Sequence, residues 1–260
     1  MEKTISTTQL FNADCLDKMK DIDDDSVDLI FCDLPYNQTS CKWDIAIDLE
    51  LFWIQVMRIK KLHTPIFFTT TTKFGVSLIQ SAPKKCFFRY DLVWVKSASA
   101  GFLNSKRAPL RKHEMIYVFY EKLPYYDLSS HTHKFLKPTE LEEYEGDELC
   151  KYDVNKNTYG GGKDGRIKVP KDKKYHEAKY DPPLPNTMVE IKSTRGNHST
   201  EKPVALMEWI FKYYTKEGDV ILDPTMGSGS TGIACKNMNR NFIGIEMDEE
   251  IFKVAEYRIK

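Results

Sequence analysis

Apolar residues along this chain fall into two patterns, short continuous runs and stripes at helical spacing. Val27–Cys32, Pro65–Thr70 and Val220–Leu222 are compact apolar runs that predict buried strands. Residues 9–12, 87–95, 115–120 and 242–245 predict further strands. Leu49, Phe52, Trp53, Val56 and Ile59 recur at helical spacing and predict a helix over 48–62, with shorter helices over 15–20 and 73–80. Leu206, Met207, Ile210, Phe211 and Tyr214 form another apolar face, with Thr200 as its cap, Pro203 in its first turn and Gly218 at its end. Residues 220–222, a glycine loop, a helix over 231–236 and residues 242–245 make a βαβ unit. A last helix, 249–259, starts behind Asp248. This alternation predicts an α/β fold, a mostly parallel sheet with helices on both faces.

The alternation lapses between 121 and 195, so the expected organisation is two halves of one domain, 1–120 and 196–260, around an irregular insertion. Residues 140–148 hold six Asp/Glu and no Lys or Arg, whereas 151–180 hold nine Lys/Arg against four Asp/Glu. The insertion is either a solvated segment with segregated charge or a basic, aromatic-dotted surface that tracks phosphates. Residues 96–113 are expected to form a long loop between two strands.

Composition narrows the class. With 41% apolar residues the chain can build a real core. A net charge of zero excludes whole-molecule attraction to polyanions, so any nucleic-acid binding needs a local basic face or a dimer aligning two. The six cysteines include no Cys-x-x-Cys pair, which suits reduced core residues and gives no reason to expect a metal. The N-terminus lacks the apolar core of a signal peptide, and no run approaches the roughly 18 apolar residues of a membrane span. A cytoplasmic protein with no membrane partner is expected.

Two stretches carry candidate chemistry: Asp33-Leu34-Pro35-Tyr36 and Asp223-Pro224-Thr225-Met226-Gly227-Ser228-Gly229-Ser230-Thr231, each following a predicted strand. In open α/β sheets, ligands bind where strands end. Gly227 and Gly229 allow a tight bend, but the loop has neither the lysine nor the glycine spacing of phosphate binders. Glu246 ends the next strand, where an acid reaches a ribose diol. This combination is either a tight turn beside an exposed acid or a site for a phosphate-free nucleotide cofactor, S-adenosylmethionine.

The first stretch suits an exocyclic amine, whose lone pair is delocalised into its ring. The Asp33 carboxylate and the Leu34 carbonyl offer acceptors for its two N–H bonds, drawing the nitrogen towards tetrahedral geometry. Pro35 fixes the turn and Tyr36 offers a ring to stack on the base. The carboxylate also stabilises positive charge appearing on the nitrogen.

These stretches resemble the motifs of the β-class DNA amino-methyltransferases. Asp33–Tyr36 is similar to that family's Asp-Pro-Pro-Tyr, with leucine for the first proline. Residues 223–229 are similar to its Asp-Pro-Phe-x-Gly-Ser-Gly, with Thr225 for phenylalanine. Asn12–Cys15, His198–Pro203 and Phe242–Glu246 resemble further segments of the family, and the match covers roughly 8–120 and 196–258. The resemblance implies a seven-stranded, Rossmann-like methyltransferase sheet, circularly permuted, with a target-recognition insertion at 121–195. It implies Asp14, Thr200, Lys202, Asp223, Met226, Gly227, Ser228, Gly229 and Glu246 as residues for S-adenosylmethionine, the product being S-adenosylhomocysteine. The reaction implied is adenine-N6 transfer. Cytosine-N4 transfer is the nearest alternative, since that group more often has serine at the place of Asp33, and a silent DNA-binding subunit is another.

Double-stranded DNA is the implied partner, with base flipping and a homodimer as one way for a neutral chain to hold it. Lys42 and Trp43 are candidates to close over an extruded base, although Trp43 equally suits a buried position. Lys106, Arg107, Arg111, Lys112 and His113 suit phosphate contacts, or simply a charged surface loop. Lys163, Arg166 and Lys168 in the insertion are candidates for the same role.

Overall fold

A computed structural model describes residues 6–35, 47–133, 180–193 and 201–260. It divides into two units, Met1–Asp127 with Asn186–Lys260, and Leu128–Pro185. The elements in chain order are β1 (Thr8–Asn12), α1 (Cys15–Lys18), β2 (Leu29–Cys32), α2 (Leu49–Ile59), β3 (Ile66–Thr70), α3 (Thr72–Ser81), β4 (Phe87–Ala100) and β5 (Arg111–Tyr120). They continue with β6 (Thr132–His133), β7 (Tyr180–Asp181), β8 (Met188–Glu190), α4 (Val204–Tyr214), β9 (Val220–Asp223), α5 (Ser230–Asn237), β10 (Asn241–Glu246) and α6 (Glu249–Ile259).

The first unit holds one eight-stranded sheet ordered β1-β10-β9-β2-β3-β5-β4-β8. Among its described strands only the β3–β5 and β5–β4 pairings are antiparallel. The C-terminal strands β9 and β10 insert between β1 and β2, so the two ends of the chain interleave in one sheet. β2 and β3 are buried at every position, as a continuous apolar run requires of a strand covered on both faces. On one face Phe52 and Trp53 of α2 meet Phe68 and Phe119 edge-on or tilted. On the other, Phe67 meets Tyr214 of α4. Asp48 and Asp248 cap α2 and α6 by accepting backbone N–H bonds of 3.0–3.1 Å.

Four details differ from expectation. Among the described residues the sheet has eight strands, one more than the seven implied, because Met188–Glu190 pairs with β4 in parallel; three residues are too few to show a period. Its strap includes Trp94 Nε1 donating to the Ile191 carbonyl at 2.8 Å. The expected loop 96–113 is mostly ladder: β4 runs on to Ala100 and β5 begins at Arg111, leaving 101–110 as the connection. Polar residues in an exposed hairpin had hidden those strand ends. Finally, Pro203 is the N-cap of α4, not a first-turn residue, and Gly218 lies in the turn before β9, since α4 already ends at Tyr214. Thr200 lies outside the described residues.

The second unit falls within the stretch expected to be an insertion. Among its described residues β6 and β7 pair antiparallel, Thr132 with Asp181 and His133 with Tyr180. The His131 ring is hydrogen-bonded to the Pro182 carbonyl at 2.9 Å.

Candidate active site

Register brings the two marked stretches together. β2 and β9 are parallel neighbours, with Ile30 opposite Leu222, so the chain leaves them side by side at Asp33 and Pro224. On β10, Gly244 lies opposite Asp223, and on β1, Asn12 lies opposite Glu246. Asp14, Glu246, the glycine bend and Asp33 therefore issue from four adjacent strand ends at one edge, where α/β folds bind ligands.

The glycine bend is braced by its own neighbours. Asp223, 2% exposed, accepts from the Thr231 hydroxyl at 2.5 Å and the Thr225 N–H at 3.1 Å. Burial pushes its carboxyl up to about 7; the two hydrogen bonds oppose the rise, and the charges of Asp33 and Glu246 add to it. The Glu246 carboxylate accepts the Gly227 N–H at 3.0 Å and the Asp248 N–H at 2.9 Å, which ties the bend to its distant acid. Burial raises the Glu246 carboxyl, against those same hydrogen bonds. Gly227 has φ +51 and, among the described residues, no atom within 4 Å of a would-be Cβ, so that side of the loop is open to them.

The residues expected at a cofactor divide accordingly. Gly227 and Glu246 lie at this edge, bonded to one another. Asp14 caps α1, accepting from the Leu16 N–H at 2.8 Å, in the turn whose Ala13 N–H bonds the Glu246 carbonyl. Asp223 instead acts inside the loop, both oxygens engaged. Met226 is buried and packed over Gly244. Ser228 is held by Arg258, whose Nη1 bonds its carbonyl at 2.8 Å and its hydroxyl at 2.7 Å, and which pairs with Glu201 at 2.6 Å. At Gly229, φ is +85 and a Cβ would strike Ile259 and Ala255 of α6, so helix packing alone calls for glycine there.

The Asp33 side is assembled from distant parts. Asp33 Oδ1 accepts from the Thr69 hydroxyl at the end of β3. Lys202 Nζ reaches Asp33 Oδ2 at 2.6 Å and Glu114 Oε1 at 3.2 Å, and Lys96 pairs with Glu114 Oε2 at 2.6 Å. Burial works to lower the Lys202 ammonium, but Asp33 and Glu114 together outweigh it and hold it above the usual lysine value. Lys202, expected beside a cofactor, thus has the expected catalytic acid as its partner here. Leu34 is 2% exposed and joins the core, which suits leucine where proline is usual: the side chain anchors the turn. Thr69, Glu114 and Lys96 were not anticipated. The only signal for Thr69 was a pair of threonines closing an otherwise apolar strand.

Lys106, Arg107 and Arg111 are all exposed, around the β4–β5 connection. Tyr36, Lys42, Trp43, Thr200, Lys163, Arg166 and Lys168 lie outside the described residues.

The chain resembles known proteins over most of its length. It is 26% identical to the type II methyltransferase M1.MboII of Moraxella bovis, over 97% of this chain and 96% of that one. It is 28% identical to M.BglII of Bacillus subtilis, over 95% and 67%. Higher identity, 45%, links it to M2.DpnII of Streptococcus pneumoniae, but that match spans only 26% of the relative's length. Among solved structures, the M1.HpyAVI–SAM complex superposes with a TM-score of 0.63 at 24% identity, over 98% of this chain and 100% of that one. The cytosine-N4-specific PvuII DNA methyltransferase gives 0.64 at 14% identity, over 99% and 88%. Those likenesses establish the methyltransferase fold. A family profile described as DNA methylase, N6_N4_Mtase, matches residues 27–257, and the chain belongs to that family.

Proposed function

We propose that this chain is an S-adenosylmethionine-dependent DNA methyltransferase that acts on the N6 amine of adenine. The observation that carries the reading is the shared strand-end edge of β2, β9 and β10, which sets Asp33 beside the Gly227 bend and Glu246. The residues at the bend fit the cofactor: an acid suited to accept from a ribose diol, an open backbone at Gly227, and no Lys or Arg over 223–235 to call for phosphate. When bound, the cofactor would supply a methyl group on a sulfonium, already a good leaving group.

The rest is done by this chain's own groups. The Asp33 carboxylate and the Leu34 carbonyl accept from the two amine hydrogens, localising the nitrogen lone pair. Thr69 and Lys202 hold the two carboxylate oxygens and so fix the direction of the acceptor. Developing positive charge on nitrogen meets a negative group already in place. Holding nitrogen and methyl donor in line removes a large orientational cost, worth several kcal/mol. Tyr36 stacks on the extruded base, Lys106, Arg107 and Arg111 contact phosphates, and the 121–195 region reads the target.

Aspartate at position 33 favours adenine over cytosine. The test is nucleoside mass spectrometry after incubating purified protein, cofactor and unmethylated DNA. N6-methyladenine is expected. N4-methylcytosine alone would overturn the choice of base, and no product together with no calorimetric cofactor heat would overturn the enzyme.

A further inference from the structure

The β4–β5 hairpin has a composition that phosphate contact does not explain. Its ladder continues past the sheet: Val95 pairs with His113 and Ala100 with Arg111, while Thr70, at the end of β3, already lies opposite Met115. Glu114 marks the level of the candidate active site through Lys202. Three further strand residues carry Arg111 roughly 10 Å beyond that level, and the connection 101–110 extends from there. The hairpin is thus a finger standing on the same edge as Asp33. Every residue from 97 to 113 is exposed.

Two large apolar side chains sit in its turn, Phe102 at 79% and Leu103 at 98% exposure. Residues 96–113 hold five Lys/Arg and no Asp/Glu, in a chain that is neutral overall. Exposing Leu and Phe in this way forgoes the favourable burial of both side chains. Surrounding them with cations alone makes a poor protein-docking patch but a good match to a polyanion with an apolar interior. A duplex is such a partner: cations meet phosphates while an apolar wedge enters between base steps.

We propose that Phe102 and Leu103 form a wedge that enters the DNA duplex beside the target base and holds the opened stack, with Lys106, Arg107 and Arg111 seating the finger on the backbone. The inference rests on the DNA-methyltransferase reading and deepens it. Unstacking a base has a free-energy cost. A wedge from the sheet edge that carries Asp33 offsets that cost at the point where the amine must be delivered.

The experiment uses the full chain and a duplex carrying the bound site, mapped by footprinting, with 2-aminopurine at each adenine of the site in turn. Wild-type protein should raise the fluorescence at the target position. Phe102→Ala/Leu103→Ala should cut that rise at least fivefold and slow turnover at least tenfold, with duplex affinity within about threefold. Placing a mismatch opposite the target should restore both. Lys106→Ala/Arg107→Ala should instead weaken binding and flatten its salt dependence, leaving the fluorescence at saturation unchanged. Because residues 102 and 103 are exposed, their loss should leave the melting temperature unchanged. The wedge is overturned if the tip variant opens the base as the wild type does, or if a mismatch restores nothing. It is also overturned if the tip variant merely turns a sedimenting dimer into a monomer, which would make the tip a contact with a second copy. A wild type that opens the base but yields no methylated product would count against the proposed function alone.

Discussion

The two sides of the candidate site are built in opposite ways. The β9–β10 side completes itself locally: Asp223 braces Thr225 and Thr231, and Glu246 accepts the Gly227 N–H 19 residues away. The β2 side depends on distant contributions, Thr69 from β3, Glu114 from β5 and Lys202 from 169 residues further along the chain. A loop that satisfies its own polar groups is preorganised to receive a ligand. A carboxylate held by an ammonium from elsewhere can be re-aimed when a base arrives, because Lys202 has Glu114 as a second partner.

Removing Asp33 should separate the two sides most sharply. Asp33→Ala is expected to slow turnover by roughly 10²–10³-fold, the usual cost of losing one group aimed at transition-state charge. Calorimetry should find cofactor affinity within about twofold of wild type, and a large loss there would show that the two sides are not separable. Lys202→Met comes next. It removes the ammonium that Asp33 and Glu114 share while Glu114 keeps its pairing with Lys96, and denaturant unfolding should report a loss of about 3 kcal/mol. Adding Glu114→Gln should recover part of that loss, the coupling that a shared network requires.

Glu246→Gln probes the other side. It should weaken cofactor binding about tenfold through the lost charge-assisted hydrogen bonds, while turnover at saturating cofactor stays near wild type. Gly227→Ala and Gly229→Ala distinguish ligand approach from packing. Both accept a left-handed backbone at about 1–2 kcal/mol. Only Gly229→Ala also strikes Ile259 and Ala255, so it should lower the melting temperature further, whereas Gly227→Ala should mainly cost cofactor affinity.

A pH dependence completes the contrast. The Asp223 carboxyl rises from 3.8 to about 7 on folding, so across that interval the folded chain keeps a proton that the unfolded chain releases. Stability from this group is therefore highest below pH about 4 and declines as pH climbs to about 7. Asp223→Asn keeps an acceptor for the Thr225 N–H and removes the slope. Its melting temperature should gain on wild type by a few degrees as pH rises through that interval, and parallel curves would contradict the raised carboxyl.

The same contrast explains what the sequence revealed. Periodicity located β2, β3, β9 and α2 because each buries a regular face or run, and a capping Asp248 located α6. Glu246 was legible because the glycine bend and its acid lie on successive strands of one βαβ unit. Thr69 and Glu114 were not, because their relation to Asp33 exists only once β3 and β5 are placed in the sheet. Met226 and Gly229 carry a second role that motif likeness does not show: Met226 packs over Gly244 and Gly229 makes room for α6. Phe102 and Leu103 belong to neither class, since no period flags two apolar residues in a turn.

A crystal structure with S-adenosylhomocysteine would test the shared edge most directly. The ribose hydroxyls should lie on Glu246, the chain should pass the open face of Gly227, and the sulfur should point at the Asp33 carboxylate. A ligand seated elsewhere, or one whose sulfur faces away from Asp33, would contradict a single pocket built from the ends of β2, β9 and β10.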